Sequence, residues 1–114
     1  MDDKRTAKSV MDSITLWVED KKQLSPEKWI EAAEILNLLS SYEHDKVVEL
    51  EQEVNKYLDM LLTSQEKLNV SAAKVKMKAD PKYAEFRKQE LFVKRIEQAI
   101  LLAKKHAGLI QWGS

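Results

Sequence analysis

Imidazoles, paired carboxylates and glycine loops are the usual sources of chemistry in a small helical chain, and this sequence spaces them poorly for it. His44 and His106 are the only histidines. Neither has a Glu three residues before it or a second His four residues away, the spacings that di-iron bundles and helical zinc sites use. His106 is expected in the last turn of a helix, where a cation meets the C-terminal dipole, and His44 in a solvated first turn. Glu31 with Glu34 and Glu49 with Glu53 each share a helix face, but no cleft or second helix's carboxylates converge on them, so they read as solvated surface. Gly108 and Gly113 are the only glycines and there is no Cys. Phosphate-cradling loops, nucleophile elbows, thiolate zinc sites and disulfides therefore lack their parts. No catalytic residue, metal ligand or cofactor is expected, and the chain reads as a non-enzyme.

The three tryptophans divide. Trp17 and Trp29 fall on the apolar stripes of neighbouring amphipathic helices, where large aromatics supply core area. Trp112 lies beyond the last helix, in a tail too short to fold alone, and is a candidate anchor for a partner.

Charge placement is more informative than net charge. Nineteen acidic and nineteen basic side chains cancel, which removes the global positive field of a dedicated nucleic-acid or membrane-surface binder. Residues 1–41 nevertheless carry eight acids and six bases, residues 42–73 seven and three, and residues 74–114 four and ten. Lys74, Lys76, Lys78 and Lys82 cluster about a predicted turn, and Arg87, Lys88, Lys94 and Arg95 continue along the following helix. Two uses are open. The basic helix could pair with the acidic stretch that precedes it, within one chain or across a dimer. Alternatively, it could contact phosphate backbone with little base selectivity. Only Tyr83, Phe86 and Phe92 lie among these cations, which is sparse for base stacking.

The elements that must position these groups are helical. Val10, Met11, Ile14, Trp17 and Val18 repeat at helical spacing over residues 3–20. Ser25-Pro26-Glu27 combines an N-cap hydroxyl, Pro at the first helical position and an early carboxylate, so a second helix starts at Pro26. Ser40 with Glu43 resembles a capping box, and a break or kink is expected there. Val47, Val54, Leu61, Leu68 and Val75 then recur every seven residues, with Leu50 and Tyr57 as companions, which predicts a coiled-coil seam weakened at Ser64 and Ser71. Asn69-Val70-Ser71 is a second place for the helix to restart.

Asp80-Pro81 is the clearest turn. Beyond it Phe86, Val93, Ile96, Ile100, Ala103 and Ala107 keep the seven-residue period, with polar Gln89 at one core position. Lys104-Lys105-His106 and Gly108 then give a C-terminus suited to a Schellman cap. A helix over residues 42–79 would run roughly 57 Å and its return roughly 40 Å at 1.5 Å per residue. The seam of Val54, Leu61 and Leu68 is expected to face Phe86, Val93, Ile96 and Ile100, leaving Val47 and Leu50 in need of other cover.

The expected fold is all-α: two N-terminal amphipathic helices plus a long antiparallel coiled-coil-like hairpin. Residues 1–114 form one helical domain, divided into a helix pair over 1–40, a hairpin over 41–108 and a short tail over 109–114. So small a chain keeps much of its surface exposed, and a partner helix would supplement its core. Self-association is therefore expected. The residues following Met1 are polar rather than a secretory h-region, and no long uncharged apolar run exists. The expected compartment is the cytoplasm.

The stretch Ser71-Ala72-Ala73-Lys74-Val75-Lys76-Met77-Lys78-Ala79-Asp80-Pro81-Lys82-Tyr83, continuing to Ile96-Glu97-Gln98-Ala99-Ile100-Leu101-Leu102-Ala103-Lys104-Lys105, resembles small all-helical proteins of tailed bacteriophages. In these a basic segment and a short turn with a Tyr lead into a final Lys-rich helix. The likeness covers about a third of the chain and carries no functional residue across. It implies an accessory factor or adaptor acting in the host cytoplasm, beside replication, recombination or host takeover. Together these features predict a non-enzymatic, self-associating interaction module with an unknown protein partner and no membrane association. The alternative is an accessory protein that binds nucleic acid through the basic turn and last helix.

Overall fold

The computed structural model describes residues 6–21, 23–64 and 69–109. They form four helices: α1 (Ala7–Glu19), α2 (Pro26–Thr63), α3 (Val70–Lys78) and α4 (Pro81–His106). Among the described residues there is no strand, and no helix is long and apolar enough to cross a membrane. Leu68 of the predicted seam and Trp112 lie outside the described residues.

Local chemistry sets the helix ends. The Thr6 hydroxyl accepts from the Ser9 N–H at 3.1 Å while Ser9 Oγ accepts from the Thr6 N–H at 3.0 Å, a reciprocal capping box that opens α1. Lys21 follows the C-cap Asp20 with φ of 51°, the left-handed region usually left to glycine. At Pro26 the missing N–H falls where a helix has no partner to offer it, and the Lys28 N–H donates to the Ser25 carbonyl at 3.0 Å. Asn69 caps α3 by accepting from the Ala72 N–H at 2.8 Å, so the chain restarts where Asn69-Val70-Ser71 predicted. Asp80 Oδ1 accepts from the Lys82 N–H at 2.9 Å and opens α4. That helix ends in a Schellman motif. The Leu109 N–H donates to the Lys104 carbonyl at 2.9 Å and the Gly108 N–H to the Lys105 carbonyl at 3.1 Å, with Gly108 at φ of 81°.

The break expected at Ser40-Ser41 is absent, and α2 passes through it. Ser40 Oγ donates to the Asn37 carbonyl at 2.8 Å and Ser41 Oγ to the Leu38 carbonyl at 2.9 Å, so both hydroxyls are spent on the preceding turn and cap nothing. His44 consequently sits in the middle of a helix rather than in a first turn. The single helix expected over 42–79 is divided instead: α2 ends at Thr63 and α3 begins at Val70.

The chain forms two compact units, one of Met1–Tyr42 with Val93–Ser114 and one of Glu43–Phe92. In the first, Val10, Ile14, Trp29, Ala32, Ala33 and Leu36 are buried, together with Val93, Ile96, Ile100 and Ala103 of α4. In the second, Val54 and Leu61 of α2 pack with Ala73 and Met77 of α3, and Tyr57, Leu58, Leu62, Tyr83 and Phe86 close over them. The predicted seam is thereby divided. Phe86 meets the Val54–Leu61 cluster, whereas Val93, Ile96 and Ile100 belong to the other unit. Val75, predicted in the seam, is 71% exposed. Because α3 starts afresh at Asn69, the heptad phase of α2 does not carry into it, and Ala73 and Met77, one turn apart, take the core instead.

Candidate functional site

The second unit separates its charges by side. On α2 the inward positions are Val54, Tyr57, Leu58 and Leu61, so the helical period turns Asp45, Glu49, Glu53 and Asp59 outward over a rise of roughly 21 Å, with Glu51 flanking them. All five are exposed, and so are Val48 and Met60 among them, the latter at 66%. Lys56 is the one basic residue on that face. On α3 and the start of α4, Lys74, Lys76, Lys78, Lys82, Arg87 and Lys88 are likewise exposed, with Val75 and Leu91 among them.

Most of the basic set does not meet the acidic one. Lys74, Lys78, Lys82 and Lys88, and Asp45, Glu49, Glu51, Glu53 and Asp59, make no ion pair or hydrogen bond through their side chains among the described residues. Arg87 pairs locally with Glu90 at 2.7 Å, and Lys46 with Glu43 at 3.2 Å. Pairing of the basic segment with the acidic stretch of α2 within one chain, one form of the first expectation, is thus missing for the residues just named as making none. The physical reason is the packing: the side of α2 that carries the acids and the side of α3 that carries Lys74 and Lys78 are both turned from the same small core. Of the eight basic residues singled out, Lys94 and Arg95 belong to the other unit, exposed on α4.

Gln89 occupies a core position between these helices and is satisfied there. Its Nε2 donates to the Glu43 carbonyl at 3.0 Å and to Glu43 Oε2 at 2.7 Å, while Glu43 Oε1 accepts from Lys46. This clasp fixes the start of the acidic face of α2 against α4. The sequence marked Gln89 as an interruption and gave no sign of its partner.

In the first unit an aromatic row was only half foreseen. Trp17 meets Trp29 edge-on, with centroids 5.3 Å apart and planes at 89°. Trp29, 3% exposed, stacks on the His106 imidazole at 4.3 Å and 15°. His106 thus closes the end of α4 onto α2 through its ring face as well as sitting at a helix C-terminus. Spacing alone could not have paired residues so far apart in sequence. Beside this row, α1 and α2 leave an open groove of about 220 Å³ lined by Ser9, Val10, Ser13, Trp17, Lys28, Glu31, Ala32 and Ile35. Ser9 Oγ donates to the Thr6 carbonyl at 2.9 Å and Ser13 Oγ to the Ser9 carbonyl at 3.1 Å, so the groove's hydroxyls serve their own helix. Among the described residues no group of three His, Cys, Asp or Glu is placed to hold a metal ion.

No protein-family model, curated protein or solved structure matches the chain.

Proposed function

We propose that this chain is a non-enzymatic helical interaction module, an adaptor that docks other helices and associates with itself. The observation that carries the reading is the set of large apolar side chains left on the outer sides of helices whose inner sides already form cores: Val48, Met60 and Leu91 in one unit, Leu16, Leu38 and Leu101 in the other. All but Leu38 have two or more charged residues within one helical turn, the arrangement of a polar-rimmed helix interface rather than of a bare sticky patch. The resemblance of residues 71–105 to phage accessory proteins fits an adaptor of this kind. Sedimentation equilibrium over a wide concentration range tests the reading. An average mass that rises with concentration is the expected result, and a monomer throughout refutes it.

A second reading has one specific support. Lys74, Lys78, Lys82 and Lys88 are exposed and unpaired among the described residues, as phosphate-contacting side chains are before they bind. It predicts DNA or RNA binding at low salt that falls steeply as salt rises, independent of base sequence.

A further inference from the structure

We propose that the partner of the second unit is another copy of this chain, the acidic outer face of α2 on one copy docking on the basic outer faces of α3 and α4 on the next. This rests on the interaction-module reading and names its partner. Complementarity is the first argument. Asp45, Glu49 and Glu53 recur one turn apart along α2, and Lys74 and Lys78 do the same along α3, with Lys82 and Lys88 continuing onto α4. None of these has a side-chain partner among the described residues. Each face also holds apolar side chains among its charges, Val48 and Met60 on the acidic side, Val75 and Leu91 on the basic side. Charges alone would give steering and little affinity. Apolar contacts inside a charged rim give an interface with both register and burial.

The acidic face is the side of α2 turned from Val54 and Leu61, and Lys74, Val75 and Lys78 lie on α3 away from Ala73 and Met77, which belong to the same cluster. Each face is thus left uncovered by the core its own helix helps to form.

Two charge-reversed proteins test this. One carries Glu49→Lys and Glu53→Lys, the other Lys74→Glu and Lys78→Glu. All four positions are exposed, and circular dichroism with urea unfolding checks that each variant keeps the wild-type fold. At low salt each variant alone should associate more weakly than wild type by more than about tenfold, because like charges now face each other. The equimolar mixture should recover wild-type mass, since the reversed α2 of one variant matches the reversed α3 of the other. Wild-type association should itself weaken as salt rises from about 0.05 to about 0.5 M.

Variants that associate like wild type, or that lose association without rescue on mixing, overturn the docking scheme while leaving self-association intact. A wild type that is monomeric at every concentration overturns the interaction-module reading as well. If the lysine-reversed protein keeps its mass and instead loses binding to a labelled DNA duplex that the glutamate-reversed protein still binds, the basic face serves nucleic acid and the scheme is wrong.

Discussion

Gln89 on α4 and Glu43 on α2 are joined by two hydrogen bonds from one amide, at 3.0 Å to the Glu43 carbonyl and 2.7 Å to its carboxylate. The carboxylate takes a second contact from Lys46 at 3.2 Å, and the Glu43 side chain is only 16% exposed, while the lysine reaches solvent. A glutamine in an apolar register thus holds a half-buried anion and sets how α4 lies along α2 within the second unit. Gln89→Ala should cost about 1–2 kcal/mol in urea unfolding, since the carboxylate keeps Lys46 and some water but loses a charge-assisted bond. A double-mutant cycle with Glu43→Ala should show a coupling of about 1 kcal/mol. A coupling near zero would mean that Gln89 is held by packing alone.

Serine chemistry decides the length of α2. In a continuous helix Ser40 and Ser41 are poorer formers than Ala, so replacing both by Ala should stabilise the protein by up to about 1 kcal/mol in total. Were Ser40 an N-cap, the same change would cost about 1 kcal/mol. The sign of the shift in the thermal midpoint separates the two.

Much of the fold was legible because some signals have one physical outcome. Ser25-Pro26 and Asp80-Pro81 lack the N–H that would continue a preceding helix, and both start helices as expected. Lys104-Lys105-His106 followed by Gly108 offers the left-handed residue that closes a Schellman motif, and it does so. Trp29, Val54 and Leu61 are buried as their stripes required. Other signals had two outcomes. The hydroxyl of Ser40 can cap a new helix or fold back on the old one, and the neighbouring sequence does not choose between them. A heptad pattern on α4 fixes which side is apolar but not what covers it, so Phe86 and Val93 could be assigned to one seam although they serve different units. The row from Trp17 through Trp29 to His106, and the lack of side-chain partners for Lys74 and Lys78 among the described residues, are tertiary facts with no local signature.

The restart at Asn69 changes which residues of α3 matter. Met77 is buried against Val54 and Leu61, while Val75 faces solvent. Met77→Ala should destabilise by about 2–4 kcal/mol through transfer and cavity terms, and Val75→Ala by no more than about 0.5 kcal/mol. Equal costs would restore the uninterrupted heptad. Urea midpoints of the two variants at low protein concentration make the comparison free of association.

The aromatic row gives the first unit its own test. Trp29→Ala removes a buried indole and should cost about 3–5 kcal/mol. His106→Ala removes only the stacked ring and should cost about 0.5–1.5 kcal/mol. Conservative replacement by Phe should recover most of the latter, because an uncharged ring of similar span can stack in the same place. Thermal unfolding followed at 222 nm would read these losses, and a His106→Phe protein no better than His106→Ala would show that the ring face is not what stabilises the end of α4.

Lys21 and Gly108 occupy the same left-handed region at opposite ends of the chain, at φ of 51° and 81°. Glycine adopts this conformation without strain, whereas a residue with a Cβ loses about 1 kcal/mol or more there. Around Gly108 no atom lies within 4 Å of where a Cβ would stand, so nothing but backbone strain opposes a side chain at that position. Gly108→Ala should therefore cost about 1 kcal/mol, less the few tenths regained from a stiffer unfolded chain. The reverse change at Lys21, whose N–H donates to the Val18 carbonyl at 3.1 Å and whose side chain is exposed, relieves the strain and removes no pairing among the described residues. Lys21→Gly should stabilise by about 0.5–1 kcal/mol, offset in part by glycine's larger unfolded-state entropy. The two substitutions are thus expected to move the urea midpoint in opposite directions. A loss of stability on Lys21→Gly would place the lysine side chain, rather than its backbone conformation, in control of how α1 ends.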